Sequence, residues 1–384
     1  MDFSNVKKYL DNIDKNMVPS YRLIVKKGTE TVFEYFSARD DIFESEKDKS
    51  LYFLFSATKV ITCTAAMRLV EDNKMSLDDP VYKYLPEYKD LYIGGSYEES
   101  GKVIDKSTMP KAKNVLTVRH LLSMTGGFTY NLGRPEIQKV LKETDNQATT
   151  RDIARAIAKI PLLFEPGENW AYSLCHDVIG AIIEVVSGKS FFDYLDEIIF
   201  TPLKMENTFF QPDEKALERM HKQFRIYLPL FIAKEEKPTC VFGLSKKHQS
   251  GGAGLASCAE DYIKFLSCLA NGESENGYRL LKRESIDIMR TPQLCENAQK
   301  TYGIGRDGYS YGLGVRTHVD PSQSHDITPI GQYGWDGAAG AFAEIDVENK
   351  ISFIYTQHVL GCGYCYSHIH RTLRNLIFEA IMLK

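Results

Sequence analysis

A serine and a lysine three residues apart, Ser56 and Lys59, are the pair in this sequence best placed for covalent chemistry. Residues i and i+3 of a helix share a face, so the hydroxyl and the amine would point the same way. A neutral lysine so placed can take the serine proton, and the free N–H groups at a helix start favour nearby negative charge. The pair therefore predicts nucleophilic catalysis by Ser56.

The surroundings of Ser56 support this prediction more than the spacing does, because Ser4 and Lys7 have the same spacing. Ser56 follows the apolar run 51–55 and precedes residues that are apolar around most of a helix, which predicts burial. A buried lysine needs a partner or a depressed pKa, because burial disfavours its charged form. The alternative is a capping serine beside a lysine that reaches water.

A second stretch, residues 165–174, joins a Pro-Gly turn to Trp170 and Tyr172. A tyrosine beside a cationic lysine can have a lowered pKa and act as general base or acid. His176 is close enough in sequence to tune Tyr172. The alternative is a packing tyrosine, the usual role for one of 22.

A third stretch, residues 333–340, places three glycines around the start of a strand, where a substrate can approach the backbone. A backbone N–H here can form an oxyanion hole with the N–H of Ser56. The alternative is a hairpin turn before an edge strand. The only two tryptophans of the chain, Trp170 and Trp335, lie in the second and third stretches.

The elements that must position these stretches change along the chain. The pattern predicts an N-terminal helix to about Met17 and strands at 21–25 and 31–36, joined by a turn. Helices are predicted in the middle of the chain, at 117–122, 150–160, 177–186 and 257–269. Short strands are predicted after residue 300, at 311–315, 340–345 and 351–355. A closing helix is predicted at 368–383.

Strands at both ends with helices between them predict one sheet built from both termini and an inserted helical domain. We therefore expect a discontinuous sheet-containing domain, residues 1–55 and 295–384, and a mostly helical domain, residues 56–294. The active site is expected between them.

Composition excludes several classes of function. The chain has 384 residues, 43% hydrophobic and 26% charged, which is typical of a globular protein. A net charge of −4 without a long basic run argues against nucleic acid. No window reaches the roughly 20 apolar residues of a membrane span, so no membrane partner is expected. Eight scattered cysteines and no apolar leader at the N-terminus predict free thiols in the cytoplasm.

The three stretches together carry a family resemblance. Ser56-Ala57-Thr58-Lys59, Tyr172-Ser173 and Trp335-Asp336-Gly337 follow one another in the order and rough spacing of the class C β-lactamase-like serine hydrolases. That group includes family VIII carboxylesterases and D-amino-acid peptidases, and the resemblance spans roughly residues 20 to 380. It implies an α+β, β-lactamase/transpeptidase-like fold: a five-stranded antiparallel sheet, terminal helices and the inserted helical domain.

The resemblance also implies roles. Ser56 would be acylated, Lys59 and Tyr172 would share its proton, and Ala338 would give the second oxyanion N–H, with no cofactor or metal. The residues expected on the substrate and oxyanion side are Trp170, Tyr333, Trp335, Asp336, Gly337 and Ala338.

Two departures from the β-lactamase motifs indicate the substrate. Leu174 stands where those enzymes have asparagine, and Trp335 stands where they have a lysine that would meet a substrate carboxylate. These changes favour a carboxylesterase on small esters. A β-lactamase or a D-amino-acid peptidase or carboxypeptidase, acting on an amide, is one alternative, and a catalytically silent ligand-binding relative is another. Oligomeric state is left open.

Three further patterns are ambiguous. Cys362, Cys365, His368 and His370 are ligand types that suit zinc, but the two histidines would diverge on a helix. Residues 303–308 match G-x-G-x-x-G, but a strand follows where a nucleotide site needs a helix. Phe128 and Tyr130 are guesses for the pocket lining.

Overall fold

The structure is a computed structural model that describes residues 1–94, 108–302 and 306–382. Its strands are β1 Ser20–Lys27, β2 Glu30–Ala38, β3 Leu51–Phe53, β4 Phe209–Phe210, β5 Gln223–Tyr227, β6 Ile232–Glu236, β7 Leu255–Cys258, β8 Tyr309–Tyr311, β9 Arg316–His318, β10 Tyr333–Asp336, β11 Phe342–Asp346, β12 Ile351–Gln357 and β13 Val359–Leu360.

Along the chain, most α-helices lie between the N-terminal strands β1 and β2 and the C-terminal strands β8 to β12. They are α1 Ser4–Asp11, α2 Asp40–Glu46, α3 Thr58–Glu71, α4 Val118–Leu122, α5 Pro135–Glu143, α6 Thr150–Ile157, α7 Cys175–Ser187, α8 Phe191–Leu195, α9 Thr201–Leu203, α10 Glu214–Glu218, α11 Ala259–Asn271, α12 Arg283–Arg290, α13 Glu296–Tyr302, α14 Pro321–Ser324 and α15 His370–Met382. The four helices predicted in the middle of the chain are confirmed as α4, α6, α7 and α11.

The largest sheet is antiparallel and joins both ends of the chain, in the order β2-β1-β12-β11-β10-β9-β8. β1 pairs with β2 through the predicted turn after Lys27. It also pairs with β12, with Tyr21 opposite Gln357. The N-terminal hairpin therefore completes its hydrogen bonding only with the C-terminal strands.

Alternating side chains of the sheet serve two cores. On one face, Ile24 and Ile354 join the main core that includes α3, α7 and α11. On the other, Leu23 and Val25 pack in a core with α1 and α15. Because side chains of a strand alternate, each strand faces both helical layers.

The expected count of five strands is wrong, because the sheet has seven. The segment 311–315, predicted as one strand, contains the end of β8 and a tight turn before β9. Gly314 has a left-handed φ of 76°, which glycine adopts without strain. A Cβ at this position would also overlap the sulfur of Cys63. The glycines that the pattern placed within a strand therefore form the turn of a short hairpin.

The middle of the chain also contains strands that the sequence pattern did not predict. β3, β7 and β4 form one small sheet, and β13, β5 and β6 form another. α11, which falls within residues 56–294, packs against β1, β11 and β12 of the large sheet. The two-domain division remains a prediction. Among the described residues, no helix has the length and apolar character needed to cross a membrane.

Candidate active site

Ser56 lies where a strand bends into the buried helix α3. β3 leads to one turn of 3₁₀ helix, Phe55–Ala57, and α3 follows at once. Phe55 has a left-handed φ of 47°, a conformation that costs a bulky residue on the order of 1–3 kcal/mol. Its ring is buried against Phe53 and Phe242, and this packing holds the bend. The bend sets Ser56 at the start of the helix.

Lys59 is fully buried in the first turn of α3. Its Nζ lies 3.3 Å from the Oγ of Ser56, donates to the carbonyl oxygen of Gly252 at 2.7 Å and lies 3.4 Å from the hydroxyl of Tyr130. In the part of the chain that the structure describes, no carboxylate forms an ion pair with it. The structure thus brings the serine and the lysine together around an ammonium group without a direct counterion.

The charge of Lys59 differs from the neutral amine that the spacing suggests. Burial disfavours the ammonium form, but Tyr130 and Tyr172 favour it more strongly, and Asp177 adds to their effect. The pKa of Lys59 is therefore raised above its ordinary value. The raised pKa favours the ammonium form, which can stabilise negative charge on a neighbouring oxygen.

Tyr172 faces the same ammonium group. The Nζ of Lys59 lies 4.5 Å from the centroid of its ring. Trp335 Nε1 donates to the Tyr172 hydroxyl at 3.2 Å, so the second and third stretches meet. Next to it, the Ala171 N–H donates to the carbonyl of Met124 and fixes the segment. The Tyr172 oxygen therefore accepts a hydrogen bond from the indole, and the ring that carries it lies beside the ammonium group.

Tyr130 is a second tyrosine at the nucleophile, and sequence reasoning named it only as a guess. Its hydroxyl lies within hydrogen-bond distance of Lys59 Nζ. A hydrogen bond with Ser56 has a small lowering effect on the pKa of Tyr130. Burial raises the pKa of Tyr130, although Lys59 opposes the shift, so this hydroxyl stays protonated. No sequence motif marks the position; the nearest signal is the Gly-Gly pair at 126–127.

The third stretch reaches the nucleophile through its backbone. Gly337 packs so closely against Leu54 that a Cβ at 337 would overlap the Leu54 carbonyl oxygen. Hydrogen bonds from Gly337 N to Ala341 and from Gly340 N to Gly337 tighten the turn. Within the described residues, the N–H groups of Ser56 and Ala338 donate to no protein acceptor. Two free donors on adjacent segments match the requirements of an oxyanion hole.

The structure places two of the expected site residues elsewhere. Asp336 projects from β10 on the face opposite Trp335 and accepts from Arg316 Nη1 at 2.7 Å. Burial would raise the pKa of Asp336, but Arg316 and His370 outweigh it and hold that pKa well below its usual range. Tyr333 is fully buried in the main core. Strand alternation separates Asp336 from the site, and distance along β10 separates Tyr333.

Aromatic rings line the site around Ser56 and Lys59. Tyr130 lies 5.0 Å from Tyr172 and 5.3 Å from Phe242, measured between ring centroids. Trp335 lies 5.7 Å from Tyr172, and Trp170 stacks on Tyr172 at 6.0 Å. We call these five residues the aromatic wall. It presents flat apolar surface beside Ser56.

A buried carboxylate lies behind Lys59. Asp177 accepts from the hydroxyl of Ser250 at 2.6 Å, and its second oxygen has no hydrogen-bond partner. A Cβ at Gly252 would lie 2.8 Å from that oxygen and 3.5 Å from Lys59 Nζ. The glycine therefore lets the carboxylate and the ammonium group approach each other without a direct contact.

His176 and Phe128 belong to the packing around the site. His176 is fully buried, and its Nε2 lies 3.2 Å from the carbonyl oxygen of Leu122. Burial, with a further effect of Lys59, lowers the pKa of His176 to about 3, so the ring is neutral. Phe128 is buried against Tyr88.

The cysteine and histidine pattern near the C-terminus separates into two groups. Cys365 Sγ lies 3.0 Å from His370 Nε2 in the core, whereas His368 is exposed and stacks on Tyr364 at 4.5 Å. The described residues contain no group of three or more His, Cys, Asp or Glu side chains that could hold a metal ion. In the glycine pattern 303–308, the first three residues lie outside the described residues.

Known proteins are similar to this chain in sequence. The Beta-lactamase family model matches residues 10–361. Esterase EstB of Burkholderia gladioli is 28% identical over 319 residues, which cover 77% of this chain and 74% of EstB.

Solved structures have the same fold. EstCE1, described as a hydrolase with promiscuous acyltransferase activity, superposes with a TM-score of 0.74 at 21% identity over 96% of each chain. Simvastatin synthase LovD of Aspergillus terreus superposes with a TM-score of 0.79 at 18% identity over 100% of each chain. The fold is therefore β-lactamase/transpeptidase-like, and the chain belongs to the Beta-lactamase family.

Proposed function

We propose that this protein is a serine hydrolase that forms an acyl-enzyme on Ser56 and acts as a carboxylesterase on small esters. The observation that carries the proposal is the contact of Ser56 Oγ with Lys59 Nζ at 3.3 Å, beside Tyr172 and two free backbone N–H groups. A nucleophile, a proton acceptor and oxyanion donors are the parts that acyl transfer requires.

The mechanism follows from the charges of the site. Tyr172 would act in its phenolate form: Ser56 Oγ attacks the ester carbonyl carbon while its proton moves to the Tyr172 oxygen. The Lys59 ammonium and the Trp335 indole N–H would stabilise that phenolate before it takes the proton and after it gives the proton up. The proton then passes to the departing alcohol, whose bond to the acyl carbon breaks. A water molecule then attacks the acyl-enzyme in the same way, a proton returns to Ser56 Oγ, and the acid is released.

The carbonyl oxygen of the substrate would lie between the N–H groups of Ser56 and Ala338. These donors gain most when negative charge develops on that oxygen, so they stabilise the tetrahedral intermediate more than the bound ester. The close packing of Gly337 on Leu54 fixes the distance between the two segments.

The lining of the site supports an ester substrate with an apolar acyl or alcohol group. The aromatic wall offers ring surface, and Trp335 occupies the place where β-lactamases have a carboxylate-binding lysine. Leu174 is buried in the core, so its position offers no amide to a peptide-like substrate. The name of EstB is consistent with this proposal.

Acyl transfer to an alcohol is a second candidate, because the same acyl-enzyme can be resolved by an alcohol in place of water. The descriptions of EstCE1 and LovD support this candidate. The ratio of alcoholysis to hydrolysis at a fixed alcohol concentration distinguishes the two. A cytoplasmic location, consistent with eight free cysteines, belongs to the same proposal.

The test is labelling with a fluorophosphonate, followed by intact-protein and peptide mass spectrometry. We expect one adduct on Ser56, turnover of p-nitrophenyl butyrate and no turnover in Ser56→Ala. Ser4→Ala is the matched control, because Ser4 starts the same S-x-x-K spacing at an exposed position of α1.

Three outcomes would contradict the proposal. Normal ester turnover by Ser56→Ala would exclude Ser56 as nucleophile. Rapid nitrocefin turnover with little ester turnover would indicate a β-lactam or peptide substrate. No adduct and no turnover would indicate a silent ligand-binding relative.

A further inference from the structure

The β5–β6 hairpin ends in a run of exposed apolar residues. Six consecutive residues, 227–232, have the sequence Tyr-Leu-Pro-Leu-Phe-Ile and are all exposed. Leu228 is 72%, Leu230 75% and Phe231 56% exposed. We call residues 227–232 the hairpin tip. Single exposed apolar residues are normal on a protein surface, but a contiguous group marks an interaction site.

The base of the hairpin is firmly held. Phe224 and Ala233 are buried in the core that includes α1 and α15. β5 pairs with β13, and the pair Tyr227 and Ile232 closes the two strands just below the loop. The tip is therefore a convex projection on a fixed base.

Strand addition by a second copy of the chain is obstructed at this hairpin. β6 is the edge strand of its sheet, and an open edge is the usual site for such pairing. However, the outward N–H of Ala233 already donates to the carbonyl of Asn16 at 2.9 Å. The exposed Lys234 and Glu235 add charge along the same edge. This leaves the side chains of the tip as the available contact surface.

A polar band lies directly below the apolar tip. Lys234 Nζ lies 5.1 Å from the ring centroid of Tyr227, and the Tyr227 hydroxyl donates to Glu236. Arg225 pairs with the same Glu236, whereas Lys234 forms no ion pair within the described residues. Tyrosine and lysine are the residues that occupy the boundary between lipid and water, with the apolar part inward and the charge in the headgroups.

We propose that the hairpin tip inserts into the surface of a lipid bilayer. Two residues beyond the closing pair reach about 7 Å at ~3.3 Å per residue, which matches the roughly 5–10 Å depth of interfacial insertion. The free charge of Lys234 complements anionic headgroups. A convex apolar projection fits a deformable lipid surface, which needs no complementary groove. The inference departs from the expectation of no membrane partner and does not depend on Ser56.

The test is co-sedimentation with vesicles of phosphatidylcholine and phosphatidylglycerol. We expect the wild-type chain to bind and the double variant Leu230→Asp, Phe231→Asp to bind at least tenfold more weakly. The matched control is Ile327→Asp, Ile330→Asp, because both isoleucines are exposed in another loop and at least half exposed to solvent. Lys234→Glu should weaken binding to anionic vesicles more than to pure phosphatidylcholine. Melting temperature and ester turnover verify that each variant is folded.

Three results would overturn the proposal. A wild-type chain that stays in the supernatant when vesicles are sedimented would exclude lipid binding. Equal binding by the tip variant and the control variant would assign vesicle binding to another surface. A dimer in light scattering that the tip variant abolishes, without vesicle binding by the wild type, would assign the tip to self-association.

Discussion

Two buried clusters of charge differ in how their cations are neutralised. Lys59 lies among tyrosines and a backbone carbonyl, with Asp177 nearby across Gly252 but not in a direct ion pair. Beneath α15, Arg316 lies between Asp336 and Glu344, and Arg374 lies between Glu344 and Asp326. We call this second group the ion network; its members are Arg316, Arg374, Asp326, Asp336 and Glu344.

The difference separates catalysis from structure. A cation with direct carboxylate partners on both sides has its charge compensated at all times and ties elements together. A cation whose neighbours are hydroxyl groups can respond when a new negative charge forms on one of them. Strand β10 contributes to both clusters, because Trp335 faces Tyr172 and Asp336 faces Arg316.

The largest effect on activity is expected from Lys59→Met. Removal of the ammonium group should lower kcat/KM by about 10²–10⁴-fold, since it removes a participant in proton transfer. Stability should change little, because the loss of a donor to Gly252 is offset by the removal of a buried charge. Ester turnover and thermal unfolding measure the two effects. Lys139→Met, at an exposed position of α5, is the control; a large loss of stability without loss of turnover in Lys59→Met would contradict the comparison.

Arg316→Met should show the opposite pattern. It leaves Asp336 and Glu344 without one of their partners, and breaking a buried pair costs about 3–5 kcal/mol. Urea unfolding measures this loss, and turnover per folded molecule should change much less. Arg283→Met removes an exposed ion pair and should cost less than about 1 kcal/mol. Equal losses in the two variants would show that the ion network has no special structural role.

The two tyrosines at Lys59 sharpen the comparison within the site. Tyr172→Phe should lower kcat by about 10²-fold or more, because it removes the proposed proton acceptor. Tyr130→Phe should have a smaller effect on kcat, about tenfold, because it removes one hydrogen bond to a charged group. Pre-steady-state acylation rates provide the measurement. A larger loss in Tyr130→Phe would transfer the acceptor role to Tyr130.

The last predicted effect is absent at neutral pH and concerns the pH dependence of stability. His176 has a pKa of about 3 in the folded chain against a reference value of 6.5, so between these values the unfolded chain binds more protons. Stability therefore falls as the pH is lowered through this window, by up to about 1.4 kcal/mol per pH unit for this group. His176→Asn should show a shallower slope between pH 4 and 6 in urea unfolding. An unchanged slope in His176→Asn would contradict this prediction.

The sequence predicted features that depend on local spacing. The Ser56 and Lys59 pair, the turn after Lys27 and the helix ended by Gly188 all follow from neighbours within one or two turns. Tyr130 could not be predicted in this way, because its role depends on a long-range approach to α3. The charge of Lys59 likewise depends on groups that the fold brings from elsewhere.

Two errors have a common physical origin. Asp336 was grouped with its sequence neighbours, but alternation along β10 directs its side chain to the ion network. The segment 311–315 was assigned to one strand because glycine and aliphatic residues alternate there, although Gly314 makes a turn. In both cases the residue types fit the predicted element, but they do not give the direction of the side chain or of the backbone. The hairpin of β5 and β6 was missed because its apolar loop resembles neither a turn nor an amphipathic strand.

The pairing of the first long strand with the last has a consequence for synthesis on the ribosome. Tyr21 of β1 cannot pair with Gln357 of β12 until that residue has been synthesised, 336 residues later. At ~5–20 residues per second, that wait is roughly 17–67 s. During it one edge of β1 has no partner strand and the turn that holds Ala338 has not been made. If Ser56 and Ala338 have the roles proposed above, a nascent chain with Ser56 already outside the ribosome is inactive until the final strands have emerged.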